Sequence, residues 1–218
     1  TTDYTFLKSG KYTSVTLFSI GNITTVLKFP YLRESFTKQG KKVSEVLGET
    51  LPNTFILAVS AIIIAIFIGI IFGIISALYK DTWLDKTIQI FSTLGMSVPS
   101  FFSAILFAWF FGFVLHKYTN LEMTGSLYEL DDFGESNHLK LKNLILPAIV
   151  LGIRPLAVVI QLMRNSLLEV FNQDYIRTAR AKGLSEFQII KRHAVKNALN
   201  PVVTAISGWF ASMLAGAV

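Results

Sequence analysis

Long apolar blocks alternate with short polar segments along this chain. Residues 51–79, 87–115 and 197–218 contain no charged residue, and residues 143–163 contain a single one, Arg154. A helix needs about 20 apolar residues to cross the hydrocarbon core of a bilayer. The pattern therefore predicts an integral membrane protein with four membrane-spanning helices over these four ranges.

The charged residues between the blocks predict how the chain is oriented in the membrane. The segment 164–196, called the cytoplasmic loop below, contains seven Lys or Arg against three Asp or Glu. Short loops rich in Lys and Arg stay in the cytoplasm, so this loop is placed inside together with the tight turn 80–86. Residues 116–142 carry five acidic against three basic residues and are placed outside. By alternation, residues 1–50 lie outside as well.

Residues 1–50 do not follow the helical pattern of the remaining chain. Apolar positions around Tyr12, Val15, Leu17 and Ile20 indicate a short strand or two. We therefore expect an extracytoplasmic segment that is distinct from the helical domain.

The composition supports a membrane protein and excludes several other classes of protein and site. Of the 218 residues, 52% are hydrophobic and 16% charged, against roughly 45–50% and about 25% in soluble domains, and the mean hydropathy is +0.52. The sequence has no Cys, which excludes disulfide scaffolds, thiolate metal sites and cysteine nucleophiles. The net charge of +6 is carried between apolar blocks, so it indicates membrane lipid and not nucleic acid as a partner.

Sequence motifs of common catalytic and metal sites are absent. There is no GxxxxGK[ST] loop to hold ATP phosphates, no HExxH zinc motif and no GxSxG nucleophile elbow. His116, His138 and His193 are scattered, without carboxylates at ligand spacing. We therefore expect no catalytic residue, no metal site and no cofactor bound by this chain.

Small side chains recur on one face of the first apolar block. Ala61, Ala65, Gly69, Gly73 and Ala77 are spaced four residues apart, and such a stripe lets another helix approach closely in lipid. The sequence leaves open whether that helix belongs to the same subunit or to a second one.

The cytoplasmic loop contains the strongest local signals. Residues 172–183 are predicted to form a short helix, with Asp174 in its first turn and Gly183 as its left-handed end. Ser185, with Gln188 three residues later, has the pattern of a capping box and starts a second helix. The apolar stripe of that helix consists of Leu184, Phe187, Ile190 and Ala194. Two short helices joined at a glycine predict a compact knob below the membrane.

The same loop carries a family resemblance. The stretches QDYIRTARAKGLS at 173–185 and RHAVKNALNPV at 192–202 resemble the EAA loop of ABC importer permeases, and more specifically that of the dipeptide/oligopeptide (peptide/nickel) subfamily. The resemblance covers about residues 40–218. Supporting matches are LPNT at 51–54, SVPSFF at 97–102, LPA at 146–148 and RNSLLEV at 164–170.

The resemblance implies an all-α membrane protein with the type I ABC importer permease fold. Six helices per subunit in that family surround a pathway between two homologous subunits, and this chain is expected to supply helices two to five. Residues 1–50 are then an extracytoplasmic segment, and residues 51–218 are the transmembrane domain.

The implied function is that of a permease subunit of an ATP-driven importer of di- and oligopeptides, located in a bacterial inner membrane. The implied partners are a second permease, two ABC ATPase subunits that hold ATP and Mg, and an extracytoplasmic substrate-binding protein. That binding protein is expected to meet residues 1–50 and 116–142.

The resemblance also assigns the residues that couple this subunit to ATP hydrolysis. Arg177 and Thr178 replace the acidic residue and first alanine of the general EAA pattern, and Lys196 stands where many permeases have Pro. These departures look like features of the subfamily. The expected coupling residues are Asp174, Tyr175, Arg177, Thr178, Ala179, Lys182, Gly183 and Leu184.

Two groups of residues inside the predicted spans are candidates for the translocation pathway. Ser97, Pro99 and Ser100 in the second span indicate either a structural kink or a face turned away from lipid. Arg154 lies near the middle of the third span, beside Pro155. A charge at that depth is costly unless it faces a cavity or a partner. Arg154 therefore indicates either an ion pair between subunits or a contact for an anionic substrate.

The sequence leaves other functions open. Nickel or another small solute is an alternative substrate for the same architecture, and a membrane-embedded enzyme or channel is a more distant alternative. Peptides call for a roomy cavity with groups that meet the chain termini, whereas nickel arrives chelated. Neither requirement has a distinguishing sequence pattern.

Overall fold

The computed structural model describes residues 14–20, 23–28, 32, 34–38, 40–130 and 137–215. It divides into two compact units, residues 1–52 and residues 53–218, which are described separately. The helices are α1 (Val43–Leu78), α2 (Trp83–Ser97), α3 (Ser100–Trp109), α4 (His116–Thr119), α5 (Lys142–Phe171), α6 (Asp174–Ala181), α7 (Glu186–Ile189) and α8 (Val195–Leu214), with π-helical turns at Phe110–Val114 and Ile190–Ala194. The strands are β1 (Ser14–Ile20), β2 (Ile23–Lys28), β3 (Tyr128–Leu130) and β4 (Asn137–Leu139), and they form two antiparallel pairs, β1 with β2 and β3 with β4.

The first unit contains the strand structure expected near the start of the chain. β1 pairs with β2 in a register that joins Ile20 to Ile23. Three of the four positions that indicated a strand, Val15, Leu17 and Ile20, lie in β1, and Tyr12 lies outside the described residues. The prediction of a short strand pair is confirmed for β1 and β2.

The first long helix begins at Val43 and not at residue 51. The Glu45 carboxylate accepts a hydrogen bond from the Lys42 backbone N–H at 3.3 Å, and Lys41 Nζ lies 2.7 Å from Glu49 Oε1. Contacts of this kind satisfy a donor at the helix start and favour its first turns. A hydropathy pattern does not detect these polar contacts. The apolar block is therefore shorter than the helix and misses its first eight residues.

The second predicted span, 87–115, consists of two helices in place of one kinked helix. α2 meets α3 and its π-helical continuation at an angle of 110°. Val98 at the break is extended, with φ −78° and ψ 132°, because the residue before a proline is pushed out of the helical region. Pro99 has no N–H with which to continue the helix. The expected kink is therefore a sharp break.

Two described helices, α1 and α5, are each long and apolar enough to cross a membrane, and the bent α2–α3 pair is a third if it counts as one span. The fourth predicted span, 197–218, forms α8, which has 20 residues but does not meet the same test. Lys196, Asn197 and Asn200 lie in its first two turns and lower its hydropathy. Among the described residues, length and composition thus support two of the four predicted spans outright and a third if α2 and α3 form one span, whereas the fourth is supported only as a helix.

α5 extends well past the third apolar block. It runs to Phe171, so the first residues of the cytoplasmic loop are helical and the helix is longer than the predicted membrane span 143–163. Leu167 is fully buried and Val170 is 8% exposed. Both contribute to a core that the membrane helices share with the loop, and this packing explains why the helix continues.

The stripe of small residues on α1 packs against α5. A Cβ atom on Gly69 would lie 2.6 Å from Val159 Cγ1, and one on Gly73 would lie 2.6 Å from Met163 Cβ. Such separations are too short for any side chain, so glycine is what permits the approach. The other members of the stripe, Ala61, Ala65 and Ala77, are buried. The stripe therefore serves packing within one chain, which the sequence had left open.

The main core joins α1, α5, the cytoplasmic loop and α8 into one cluster. Its buried members are Ala77, Val159, Met163, Leu167, Val170, Ile176, Ala179, Ile189, Ala194, Ala198 and Val202. The cytoplasmic loop is therefore packed onto the helices of the second unit through apolar contacts.

We predict that Gly73→Ala destabilises the protein and that Gly208→Ala does not. The new methyl group in α1 would overlap Met163 and come within 3.0 Å of the Ile160 carbonyl oxygen, and overpacking of this kind costs about 1–3 kcal/mol. No atom lies within 4 Å of a Cβ at Gly208, where alanine is the better helix former. The measurement is the thermal unfolding midpoint of the purified protein, and equal midpoints for the two variants would contradict this packing.

Candidate functional site: the cytoplasmic loop

The first helix of the cytoplasmic loop is α6, which starts at Asp174 and ends at Ala181, close to the predicted range 172–183. Ile176 is fully buried and Ala179 is 5% exposed, so one face of the helix packs into the core. On the other face, the side chains of Asp174 and Arg177 are 97% and 71% exposed. α6 is therefore fixed on one side and presents ionic groups on the other.

The helix α6 ends in a Schellman motif at Gly183. This glycine has φ +77°, the left-handed conformation predicted for it. Its N–H donates to the Arg180 carbonyl at 2.9 Å, and the Leu184 N–H donates to the Ala179 carbonyl at 3.3 Å. These are the two hydrogen bonds of the motif. A Cβ at Gly183 would meet no atom within 4 Å, so the constraint on this position is the backbone conformation and not space.

The second helix of the loop starts at the predicted capping box. The Ser185 hydroxyl accepts from the Gln188 N–H at 3.4 Å, and the Gln188 side chain accepts from the Ser185 N–H at 3.2 Å. The predicted apolar stripe is wrong at Phe187, which is 72% exposed, whereas Ile189 is fully buried. The stripe assumed a regular helix, but α7 is one turn long and widens into a π-helical turn at Ile190.

Two side-chain contacts tie the helices of the loop together. Arg180 Nε and Nη2 donate to the Glu186 carboxylate at 2.8 and 3.2 Å, which joins α6 to α7. Asn197 Nδ2 donates to the Tyr175 hydroxyl at 3.0 Å, which joins α8 to α6. The hydrogen bonds from Arg180 lower the pKa of the Glu186 carboxyl, so this bidentate pair stays ionised at neutral pH.

The structure places the eight expected coupling residues on α6 and the turn that ends it. Ala179 is buried and Leu184 is half-buried, so both face the core. The exposed members are Asp174, Tyr175, Arg177, Thr178, Lys182 and Gly183. The exposed members form a mainly polar surface, and the two apolar members hold that surface on the core.

The four pathway candidates do not share one site. Ser97 and Pro99 are exposed at the α2–α3 break, and the Ser97 hydroxyl donates to the Thr93 carbonyl at 2.8 Å within its own helix. Ser100 lines a cavity, whereas Arg154 is not among the residues that line it. Arg154 is half-buried in α5, and its buried Nε has no hydrogen-bond partner among the residues that the structure describes.

The cavity that includes Ser100 has a volume of about 540 Å³ and lies between α1, α3 and α5. Its wall is mostly apolar, with Leu57 and Phe101 among the lining residues. Ser100, Glu122 and Asn143 contribute polar groups, and sequence reasoning had not singled out the last two. The volume is within the range of small-ligand sites.

A buried polar cluster that the sequence did not predict lies where α1, α2 and α5 meet. The Asp85 side chain is 4% exposed and accepts from Arg164 Nη2 and Nε at 2.6 and 2.8 Å. The Ser76 hydroxyl donates to the same carboxylate. Asp85 and Arg164 are 79 positions apart, and a pairing at that separation leaves no periodic or motif signal in a single sequence.

Comparison with known proteins adds an independent line of evidence. Residues 69–218 match the family model described as "Binding-protein-dependent transport system inner membrane component". The chain is 36% identical to the dipeptide transport system permease protein DppB of Bacillus subtilis, over 84% of this chain and 54% of that protein. It is 39% identical to a putative peptide transport system permease protein of Brucella abortus, over 80% of this chain and 53% of that protein.

A third relative is also named as a dipeptide permease. The chain is 33% identical to the dipeptide transport system permease protein DppB of Lactococcus lactis, over 84% of this chain and 56% of that protein. The chain thus spans about half the length of the curated relatives it matches.

Proposed function

The chain belongs to the family of binding-protein-dependent transport system inner membrane components, and from this membership we propose that it is the permease subunit of an ATP-driven importer of di- and oligopeptides. Together with a second homologous permease it forms the pathway for the substrate. Two ABC ATPase subunits bind ATP and Mg, and an extracytoplasmic binding protein delivers the peptide. The chain itself catalyses no reaction and holds no cofactor.

The observation that supports this function best is the construction of the cytoplasmic loop. A coupling element has to present a surface to a soluble partner and be packed firmly onto the membrane helices. α6 meets both requirements, because Asp174 and Arg177 are exposed while Ile176 and Ala179 belong to the core that contains Met163 of α5. A displacement of α6 by a docked ATPase is therefore transmitted to α5 and α8 through close-packed contacts.

Peptide substrates are supported by the relatives and by one residue of the chain. All three relatives above are named as dipeptide or peptide permeases, which favours peptides over nickel or another small solute. A peptide importer benefits from a cation for the terminal carboxylate, and a guanidinium can hold one through two parallel hydrogen bonds. Arg154, whose Nε lacks a partner within the described chain, is the candidate for that contact.

We predict that Gly183→Val uncouples ATP hydrolysis from uptake and that Gly183→Asn largely retains coupling. The left-handed conformation at φ +77° costs a residue with a Cβ about 1–2 kcal/mol, and asparagine tolerates it better than a β-branched residue does. That cost corresponds to about a 5–30-fold change in an equilibrium. The measurement is dipeptide uptake and ATP hydrolysis by the reconstituted transporter at matched protein amounts. Normal ATP-driven uptake by the Val variant would contradict the assignment of the loop.

We predict that Arg154→Gln lowers uptake of free-acid peptides more than uptake of the same peptides with an amidated C-terminus. The substitution removes the positive charge and the paired guanidinium donors and leaves a shorter polar side chain, so the contact with a carboxylate is lost. The measurement is competitive uptake of both peptide forms into proteoliposomes. Lost assembly or stability, with no dependence on the peptide terminus, would instead assign Arg154 to an ion pair between subunits.

A further inference from the structure

The buried carboxylate of Asp85 is the centre of a polar cluster with donors from three directions. Arg164 donates two hydrogen bonds at 2.6 and 2.8 Å, the Asp81 backbone N–H donates one at 3.0 Å, and the Ser76 hydroxyl donates another. The Gln89 side-chain amide donates in turn to the Ser76 hydroxyl at 3.1 Å. The carboxylate charge is therefore paired and its acceptor sites are used, as a buried ion pair requires.

These residues come from three helices. Ser76 lies in the last turn of α1, Asp85 in the first turn of α2, and Arg164 in the part of α5 that continues toward the cytoplasmic loop. Asp81 lies in the turn between α1 and α2, and has φ +65°. One guanidinium thus fixes the α1–α2 turn to α5 with the orientation that a bidentate contact imposes.

The same stretch of α5 also supports the cytoplasmic loop. Leu167 and Val170 follow Arg164 within two turns and pack in one cluster with Ile176 and Ile189 of the loop. Arg164 therefore lies between the core of the loop and the α1–α2 turn, on a helix that contacts both.

We propose that Asp85 and Arg164 are positioning residues that lock the α1–α2 turn to the helix carrying the cytoplasmic loop, so that a displacement of the loop moves the end of α1, the start of α2 and the adjoining part of α5 as one body. This inference rests on the proposed function, because the displacement comes from a docked ATPase. A buried ion pair adds little net stability over an apolar pair, but it fixes geometry, and loss of one partner leaves an unpaired buried charge. The role of the pair is therefore in transmission between the loop and α1 and α2.

The functional test is the coupling ratio, defined as peptide molecules taken up per ATP hydrolysed by the reconstituted transporter. Asp85→Asn and Arg164→Gln are each expected to lower this ratio about tenfold, within the range of coupling between sites. Arg164→Lys keeps the charge without the two-pronged contact and should give an intermediate value. The control is Lys86→Gln, which also removes one positive charge, at an exposed position of α2 next to Asp85 but outside the polar cluster, and should leave the ratio unchanged.

A second measurement tests, without any ATPase, whether the Asp85–Arg164 pair holds the α1–α2 turn to α5. Since the chain has no Cys, spin labels can be placed at Trp83→Cys on α2 and Asn172→Cys after α5, both exposed positions, in the full chain in lipid nanodiscs. The distance distribution between the labels is expected to be narrow with Arg164 present, to broaden in Arg164→Gln and to broaden less in Arg164→Lys.

The two measurements distinguish a failure of the proposed function from a failure of this inference. If the wild-type complex shows no ATP-driven uptake, the proposed function fails. The width of the distance distribution alone then shows whether the Asp85–Arg164 pair holds the α1–α2 turn to α5. An unchanged coupling ratio in properly folded Arg164→Gln and Asp85→Asn, or an unchanged distance distribution in Arg164→Gln, overturns the inference.

Discussion

The close approach of α1 to α5 is the constraint on which the rest of this structure depends. In lipid there is little hydrophobic force between helices, so their association relies on contact at short range and on polar groups that find partners. Gly69 and Gly73 provide the contact, because any Cβ there would overlap α5. The same approach places Ser76 of α1 beside the Asp85–Arg164 pair.

The cytoplasmic loop extends this packing below the membrane helices. Its two helices are too short to be stable alone, and they are held because Ile176 and Ile189 are fully buried in the core that includes α5 and α8. Local devices complete the loop, namely the Schellman motif at Gly183 and the capping box at Ser185. The outward surface of α6 is thereby exposed, as the proposed docking of a separate ATPase requires.

Features that depend on neighbouring residues were predictable from the sequence, and features that depend on distant ones were not. The end of α6 at Gly183 and the start of α7 after Ser185 follow from contacts within a few positions, and both predictions are confirmed. Hydropathy predicted α1 but missed its start at Val43, because polar contacts stabilise the first turn there. Pro99 predicted a bend but not its 110° angle. The pairing of Asp85 with Arg164 spans 79 positions and needs the fold itself.

Whether α6 docks on an ATPase is the central claim, and site-specific photocrosslinking tests it most directly. A photoreactive amino acid replaces Lys182 in the exposed turn after α6 or, as a matched control, Lys117 in α4, which is also exposed and is expected on the opposite side of the membrane. In the assembled transporter, illumination should join the Lys182 position, and not the Lys117 position, to the ABC ATPase subunit, identified by mass spectrometry. Wild-type uptake with no ATPase adduct at Lys182, or with equal adducts at both positions, would contradict the account.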